Sequence, residues 1–202
     1  MLRFFEWLDL SESKRIPEDA VKVHLPKVEQ TKGYSCGAAA LRAVCGYFGV
    51  GPEDEDEFID LLDSDENGTM PTDIVRVARK LGLHAFMRQQ MTIDSLKARL
   101  EKKIPVICAV QAWGKPRQYD DEYSGHYVVA IGYDDDKVYF EDPILTKTRG
   151  FLSNKDFLNR WHDTDREGKK YVRLGISIWR TAPPENVNKK KDAKVIESRE
   201  IK

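Results

Sequence analysis

The chain of 202 residues and 23.3 kDa is 41% hydrophobic and 33% charged, with 33 basic against 34 acidic residues and a formal net charge of -1. That length and apolar content suffice for one packed domain without disulfide or metal staples, and they exclude a disordered or fibrous chain. No apolar run approaches the ~20 residues of a bilayer-spanning helix, so no membrane span is expected, and balanced charge gives no electrostatic reason to bind nucleic acid.

In chain order, residues 1–19 are expected to form an N-terminal extension in which Glu6 and Asp9 interrupt any secretory apolar core. Gly37 to Phe48 is Ala-rich and apolar nearly all round, which predicts a buried helix stopped at Gly49. Phe58, Ile59, Leu61 and Leu62 mark an amphipathic helix within residues 53–66, a stretch with nine acids and no base that reads as a solvated face. Asp63 to Gly68 matches the first half of a calcium loop, D-x-D-x-N-G. Ile74 stands where the loop needs its Glu and Pro71 intrudes, so no calcium is expected. Pro71 to Leu81 opens on Pro and is followed by Gly82, the signature of a third helix, and Ile93 to Lys103 forms a fourth. Strands are expected at Ile104 to Val110, His126 to Tyr133, Lys137 to Asp142 and Tyr171 to Arg180, with Asp134 to Asp136 as a turn. Helices first and strands later predict an α+β fold with an antiparallel sheet, over residues 20–182. Residues 183–202, with six basic and four acidic residues and few apolar ones, are expected to be a mobile charged tail, Lys189 to Lys191 included.

Three side chains carry the chemistry. A cysteine in the first turn of a helix, as at Cys36, faces unpaired backbone N–H groups and the positive end of the dipole, which favour its thiolate. Cys45, nine residues on, falls on the opposite face and is expected to be inert core, as is Cys108 inside an apolar strand. Three cysteines with no C-x-x-C pair fit a reducing, cytoplasmic setting without zinc. His126 opens one strand and Asp142 ends the next. An odd-membered turn, such as Asp134 to Asp136, pairs Val128 with Asp142 and puts Asp142 on the His126 face, one diagonal away at ~7–8 Å between Cα atoms. A two-residue loop would send it to the other face. Trp113, Tyr119 and Tyr123 lie in the segment running up to His126 and either line a substrate groove or pack locally. His24, His84 and His162 have no ligand-spaced partner and are read as structural or surface residues.

Gln30 stands six residues before Cys36 in a segment Q-x5-C-G-x-A-x-L, and Asp142 is followed by Pro143. In these features the chain resembles the bacteriocin-processing, double-glycine-leader cysteine peptidases, papain-like domains often found at the N-terminus of bacterial ABC exporters. Thr72 to Leu83 is similar to the family helix ending A-x-K-L-G-L, Ile93 to Val110 to its next helix and strand, and Leu152 to Trp161 to its closing L-S-x-x-x-F-x-x-x-W. Two departures are Ser35, where exporter peptidases usually carry Asp, and the absence of a following transporter, so a stand-alone peptidase domain is expected. The resemblance implies a papain-like fold whose N-terminal helical half packs its nucleophile helix on the sheet. It also implies a Cys36 nucleophile, His126 as base and acid, Asp142 orienting the imidazole, and Gln30 with the Cys36 N–H as the oxyanion hole. No metal or cofactor is implied. The substrate would be a peptide or protein, leader processing is one use, and a separate ABC exporter is left open as partner. Two alternatives stay open. One is acyl or γ-glutamyl transfer, since the phytochelatin synthases also resemble Q-x5-C-G here, and the other is a peptide-binding domain without turnover.

Overall fold

The computed structural model describes residues 14–112, 124–181 and 197–201. Five helices, α1 (Cys36–Phe48), α2 (Glu55–Leu61), α3 (Pro71–Lys80), α4 (Ile93–Glu101) and α5 (Asn154–Arg160), accompany ten strands. These are β1 (Lys14–Arg15), β2 (His84–Arg88), β3 (Val106–Gln111), β4 (Gly125–Tyr133), β5 (Lys137–Glu141), β6 (Arg149–Ser153), β7 (His162–Thr164), β8 (Lys170–Val172), β9 (Gly175–Trp179) and β10 (Glu197–Glu200). Eight strands form one sheet in the order β1-β10-β6-β5-β4-β3-β9-β2, and β7 and β8 form a separate hairpin. Every pair is antiparallel except β10 beside β6. The α+β expectation holds. Strands β2, β6 and β7 are additions that periodicity did not signal, because each is short, and the strand expected at Tyr171 to Arg180 is divided into β8 and β9.

The small side chains of α1 let it sink into the core. Ala38, Ala39, Ala40, Leu41, Ala43, Val44 and Cys45 are all buried, and the helix packs on β4. At its start Gly37 lies so close to Thr69 that a Cβ there would stand 2.5 Å from the threonine Oγ1. Gly49 ends the helix in the left-handed region, φ 66°. The L-S-x-x-x-F-x-x-x-W stretch has a local physical meaning. Ser153 caps α5 by accepting from the Asp156 N–H at 3.0 Å. Phe157 and Trp161, one helical turn apart, stack at 4.3 Å, and the buried indole N–H donates to the Leu174 carbonyl at 2.8 Å.

Register decides which face Asp142 joins, and it is set in two steps. Tyr133 pairs with Val138 and the Asp134 N–H donates to the Lys137 carbonyl at 3.0 Å, so the hairpin loop is the two-residue type and not the three-aspartate turn. Alone it would have put Asp142 on the wrong side. A β-bulge at Ile131 then shifts the pairing, so that Ala130 faces Phe140 and Val129 faces Glu141. The extra residue is used rather than wasted. The Ile131 carbonyl accepts from the N–H groups of Lys22 and Val23, both at 2.9 Å, and Tyr133 N–H donates to the Ala20 carbonyl at 2.9 Å. Residues 20–30 thus run as an extended strap over the bulge, against Gly132, where a Cβ would stand 2.2 Å from the Ala20 carbonyl oxygen.

Part of the expected tail is ordered sheet. Residues 197–200 are β10, with Ser198 and Ile201 buried, and Ile201 fills the space over Gly150. Lys14 and Arg15, in the expected extension, pair with it. Composition misread this segment because β10, covered on its outer side only by the two-residue β1, carries charge on its exposed positions as strands near a sheet edge do. Lys189 to Lys191 lie outside the described residues.

Candidate active site

Cys36 is the first residue of α1 and is 9% exposed. The turn before it is closed by Ser35, whose Oγ accepts from the Lys32 N–H at 3.1 Å and donates to the Lys32 carbonyl at 3.0 Å. His126 enters from β4 opposite Val110, and its Nε2 lies 2.8 Å from Asp142 Oδ1, with both side chains only 1% exposed. The same Oδ1 accepts the Ile144 N–H at 3.0 Å, which fixes the carboxylate plane. Burial opposes a charged imidazole, yet the charge and hydrogen bond of Asp142 and the hydrogen bond and charge of the Cys36 sulfur outweigh it and raise His126 to about 10. Burial likewise opposes the Asp142 carboxylate, and the His126 charge, its hydrogen bond and the Ile144 N–H hold it below the ordinary range. The structure therefore brings Cys36, His126 and Asp142 together as one electrostatically coupled group.

Gln30 ends the strap beside Pro143, the residue that follows Asp142. Its backbone N–H donates to the Pro143 carbonyl at 2.9 Å and its side-chain Nε2 donates to the Lys32 carbonyl at 2.8 Å. An amide nitrogen carries a second N–H, which that bond does not consume. Trp113, Tyr119 and Tyr123 lie outside the described residues. A small cleft, reached from the start of α1 where Gly37 meets Thr69, is lined by Thr69, Met70, Ala109, Tyr127, Asp163 and Tyr171. Tyr127 Oη donates to the Thr69 carbonyl at 3.0 Å, and Asp163 can approach because Gly125 has no side chain: a Cβ there would stand 2.5 Å from Oδ1.

Asp163 is itself perturbed. Burial pushes its carboxyl up to about 6, although the Thr164 N–H and the Gln111 amide donate to it at 2.8 and 3.0 Å. A carboxyl raised in the folded state favours the native protein while protonated, and that contribution is full below the ordinary 3.8 and is lost as pH rises through about 6. Asp163→Asn is therefore expected to raise the melting temperature at pH 8, with the gain fading to nothing near pH 4. A melting series across that range checks it, and a gain that ignores pH contradicts it.

Behind the pair lies a buried charge cluster. Glu141, fully buried, accepts from Lys27 Nζ at 2.8 Å and the Val28 N–H at 2.9 Å, and it pairs with Arg149. Lys27 also donates to the Asp142 carbonyl at 3.0 Å, and Arg149 to the Leu25 carbonyl at 2.7 Å. Burial lowers Lys27 to about 8. These residues, with Thr69, Gln111 and Asp163, escaped sequence reasoning. For Glu141 a signal existed: an acid inside the apolar run K-V-Y-F-E-D is out of place unless it is paired.

The remaining candidates fall away from the site. Cys45 and Cys108 are fully buried, and burial pushes both thiols up, Cys45 to about 12. His24 is exposed, and His84 stacks on Trp179 at 5.4 Å. In the calcium-like stretch the acids face arginines, Asp63 with Arg76 at 2.8 Å and Asp65 with Arg166 at 3.0 Å. Among the described residues no group of three or more His, Cys, Asp or Glu is placed to hold a metal, and no helix is long and apolar enough to cross a membrane.

Residues 22–169 match the model of the Peptidase_C39 like family, well over half of the chain. The chain belongs to that family and is a C39-like cysteine peptidase domain. It is similar to the protein named probable functional amyloid protease FapD of Pseudomonas fluorescens, 32% identical over 142 residues. That match covers 67% of this chain but only 56% of FapD, so the chain spans little more than half of that relative's length. Among solved structures it is similar to a protein assigned as a C39-like peptidase from Bacillus anthracis, with a TM-score of 0.63 and 17% identity over 82% of this chain and 100% of that one. It is also similar to the peptidase domain of Streptococcus ComA, a bifunctional ABC transporter of a quorum-sensing pathway, with a TM-score of 0.57 and 22% identity over 77% and 97% of the two chains. At these identities the structural likenesses show the shared fold.

Proposed function

We propose that the protein hydrolyses peptide bonds with Cys36 as nucleophile, His126 as general base and acid, and Asp142 as the group that orients and stabilises the imidazolium. The observation that carries this reading is the buried His126–Asp142 pair at 2.8 Å, with the Cys36 sulfur hydrogen-bonded to the same imidazole. With Nε2 committed to Asp142, Nδ1 is the nitrogen that serves the thiol. The thiolate attacks the carbonyl carbon, the tetrahedral oxyanion is met by the Cys36 N–H and Gln30, and the imidazolium returns its proton to the leaving amine. Water then hydrolyses the thioester, with His126 again as base.

The substrate on this reading is a peptide or protein segment, with leader removal as the specific use. Supporting it is the fold shared with a double glycine motif protease of an AMS/PCAT transporter, solved in complex with a leader peptide (TM-score 0.56, 18% identity). A separate exporter as partner belongs to the same reading. Digestion of a labelled peptide library by wild type and by Cys36→Ala tests it. Cleavage by wild type alone is expected. Products joined to an added amine, or γ-glutamylcysteine oligomers from glutathione, would replace hydrolysis with acyl transfer. Peptide retention without cleavage would make this a binding domain.

A further inference from the structure

Of the nine acids in residues 53–66, Glu55 alone is buried, at 4% exposure. A buried carboxyl group needs hydrogen-bonding partners, and those of Glu55 converge on one residue. The Thr31 N–H donates to both of its oxygens, at 2.9 and 3.2 Å, and Thr31 Oγ1 donates at 2.5 Å. Thr31 directly follows Gln30. On the other side, the Gln30 N–H is held by the Pro143 carbonyl, the residue next to Asp142. Lys32, whose carbonyl receives the Gln30 side chain, pairs through its ammonium with Asp56, the neighbour of Glu55. Residues 30–32 are thus tied to α2 on one side and to the end of β5 on the other, although they belong to no helix or strand and Thr31 is exposed. The Lys32–Asp56 pair lies at the exposed surface and contributes little. Glu55 is the strong tie.

We propose that Glu55 is a positioning residue for the oxyanion side of the site: by holding Thr31 it fixes Gln30 so that the second amide N–H is presented beside Cys36. This rests on reading Gln30 as an oxyanion donor. Such a donor acts only when held within about 2.7–3.1 Å of the oxygen, and a displacement of ~1 Å costs up to ~10² in rate. Because the interaction exists in the transition state and not in the ground state, its loss lowers kcat and leaves KM in place.

Kinetics of single and double variants on a cleaved peptide, together with the rate of Cys36 alkylation by iodoacetamide, test the proposal. Glu55→Ala is expected to lower kcat by ~10–10² with KM and alkylation unchanged. Glu55→Gln keeps an acceptor for the Thr31 N–H and should stay within about threefold of wild type. In a Gln30→Ala background, where kcat has already fallen, Glu55→Ala should cost nothing more. Should Glu55→Ala fold poorly, Thr31→Ala removes the Oγ1 bond from an exposed position, and it should give a smaller kcat loss that also vanishes without Gln30. Additive losses, a rise in KM alone, or alkylation slowed in step with kcat would overturn the role of Glu55. A Gln30→Ala protein with full kcat would overturn the oxyanion reading itself and this inference with it, whereas loss in Gln30→Ala with none in Glu55→Ala overturns this inference alone.

Discussion

Asp142→Asn is expected to lower kcat by ~10²–10⁴ while leaving the fold intact. Oδ1 of Asp142 accepts both the Ile144 N–H and His126 Nε2, so an asparagine is obliged to keep its oxygen at that point and its NH2 away from the ring. The imidazole then retains its orientation and loses only the neighbouring charge. Asp142 is the leading cause that lifts His126 to about 10 against the opposing effect of burial, so in Asp142→Asn the imidazolium gives up its proton at lower pH. The alkaline limb of the kcat–pH profile should move down accordingly, and unchanged rates would remove Asp142 from the mechanism. Stability carries the same signature. A histidine raised from 6.5 to about 10 stabilises the native state fully below about 6.5, and that contribution disappears as pH rises through about 10.

Glu141→Ala is expected to cost roughly 3–5 kcal/mol of stability, the range for removing one partner of a buried ion pair. The glutamate is fully buried and receives Lys27, Arg149 and the Val28 N–H, so its loss removes the carboxylate that both cations and a backbone donor face. The melting temperature should fall by on the order of 10 °C. Because Lys27 already sits near 8, part of the penalty should lift above that pH as its ammonium deprotonates, and the Glu141→Ala protein should lose less relative to wild type at pH 9 than at pH 6. A uniform deficit at both pH values would show that the cluster acts through packing alone. The consequence reaches the site, since Lys27 also holds the Asp142 carbonyl and anchors the strap that delivers Gln30.

Most of the candidate site was legible because it lies in short, local signals: a cysteine opening an Ala-rich helix, a histidine at the start of a strand, an aspartate just past the end of the next. Their juxtaposition was legible only in part. The diagonal relation of His126 to Asp142 is present, but it arises from a two-residue loop corrected by a bulge at Ile131, and the bulge exists because residues 20–23 cross there. Nothing within the hairpin itself announces that crossing. Glu55 and Glu141 show the same limit from the side of charge. Glu55 lies in an acidic run whose composition suggests solvent and Glu141 in an apolar run that does not name its partner, and both are buried because partners 24 and 113 residues away in sequence reach them. The β10 strand was hidden for the converse reason, since four mostly charged residues bury only Ser198 there and Ile201 just beyond.

The account turns on the coupling between sulfur and imidazole. The second-order rate of Cys36 alkylation by iodoacetamide at pH 7, compared between wild type and His126→Ala, measures that coupling in one number. Wild type should react faster by on the order of tenfold or more, with the other two thiols silent in both proteins because burial holds them protonated. Equal rates would mean that His126 does nothing for the thiol, and the proposed hydrolytic mechanism would have no base.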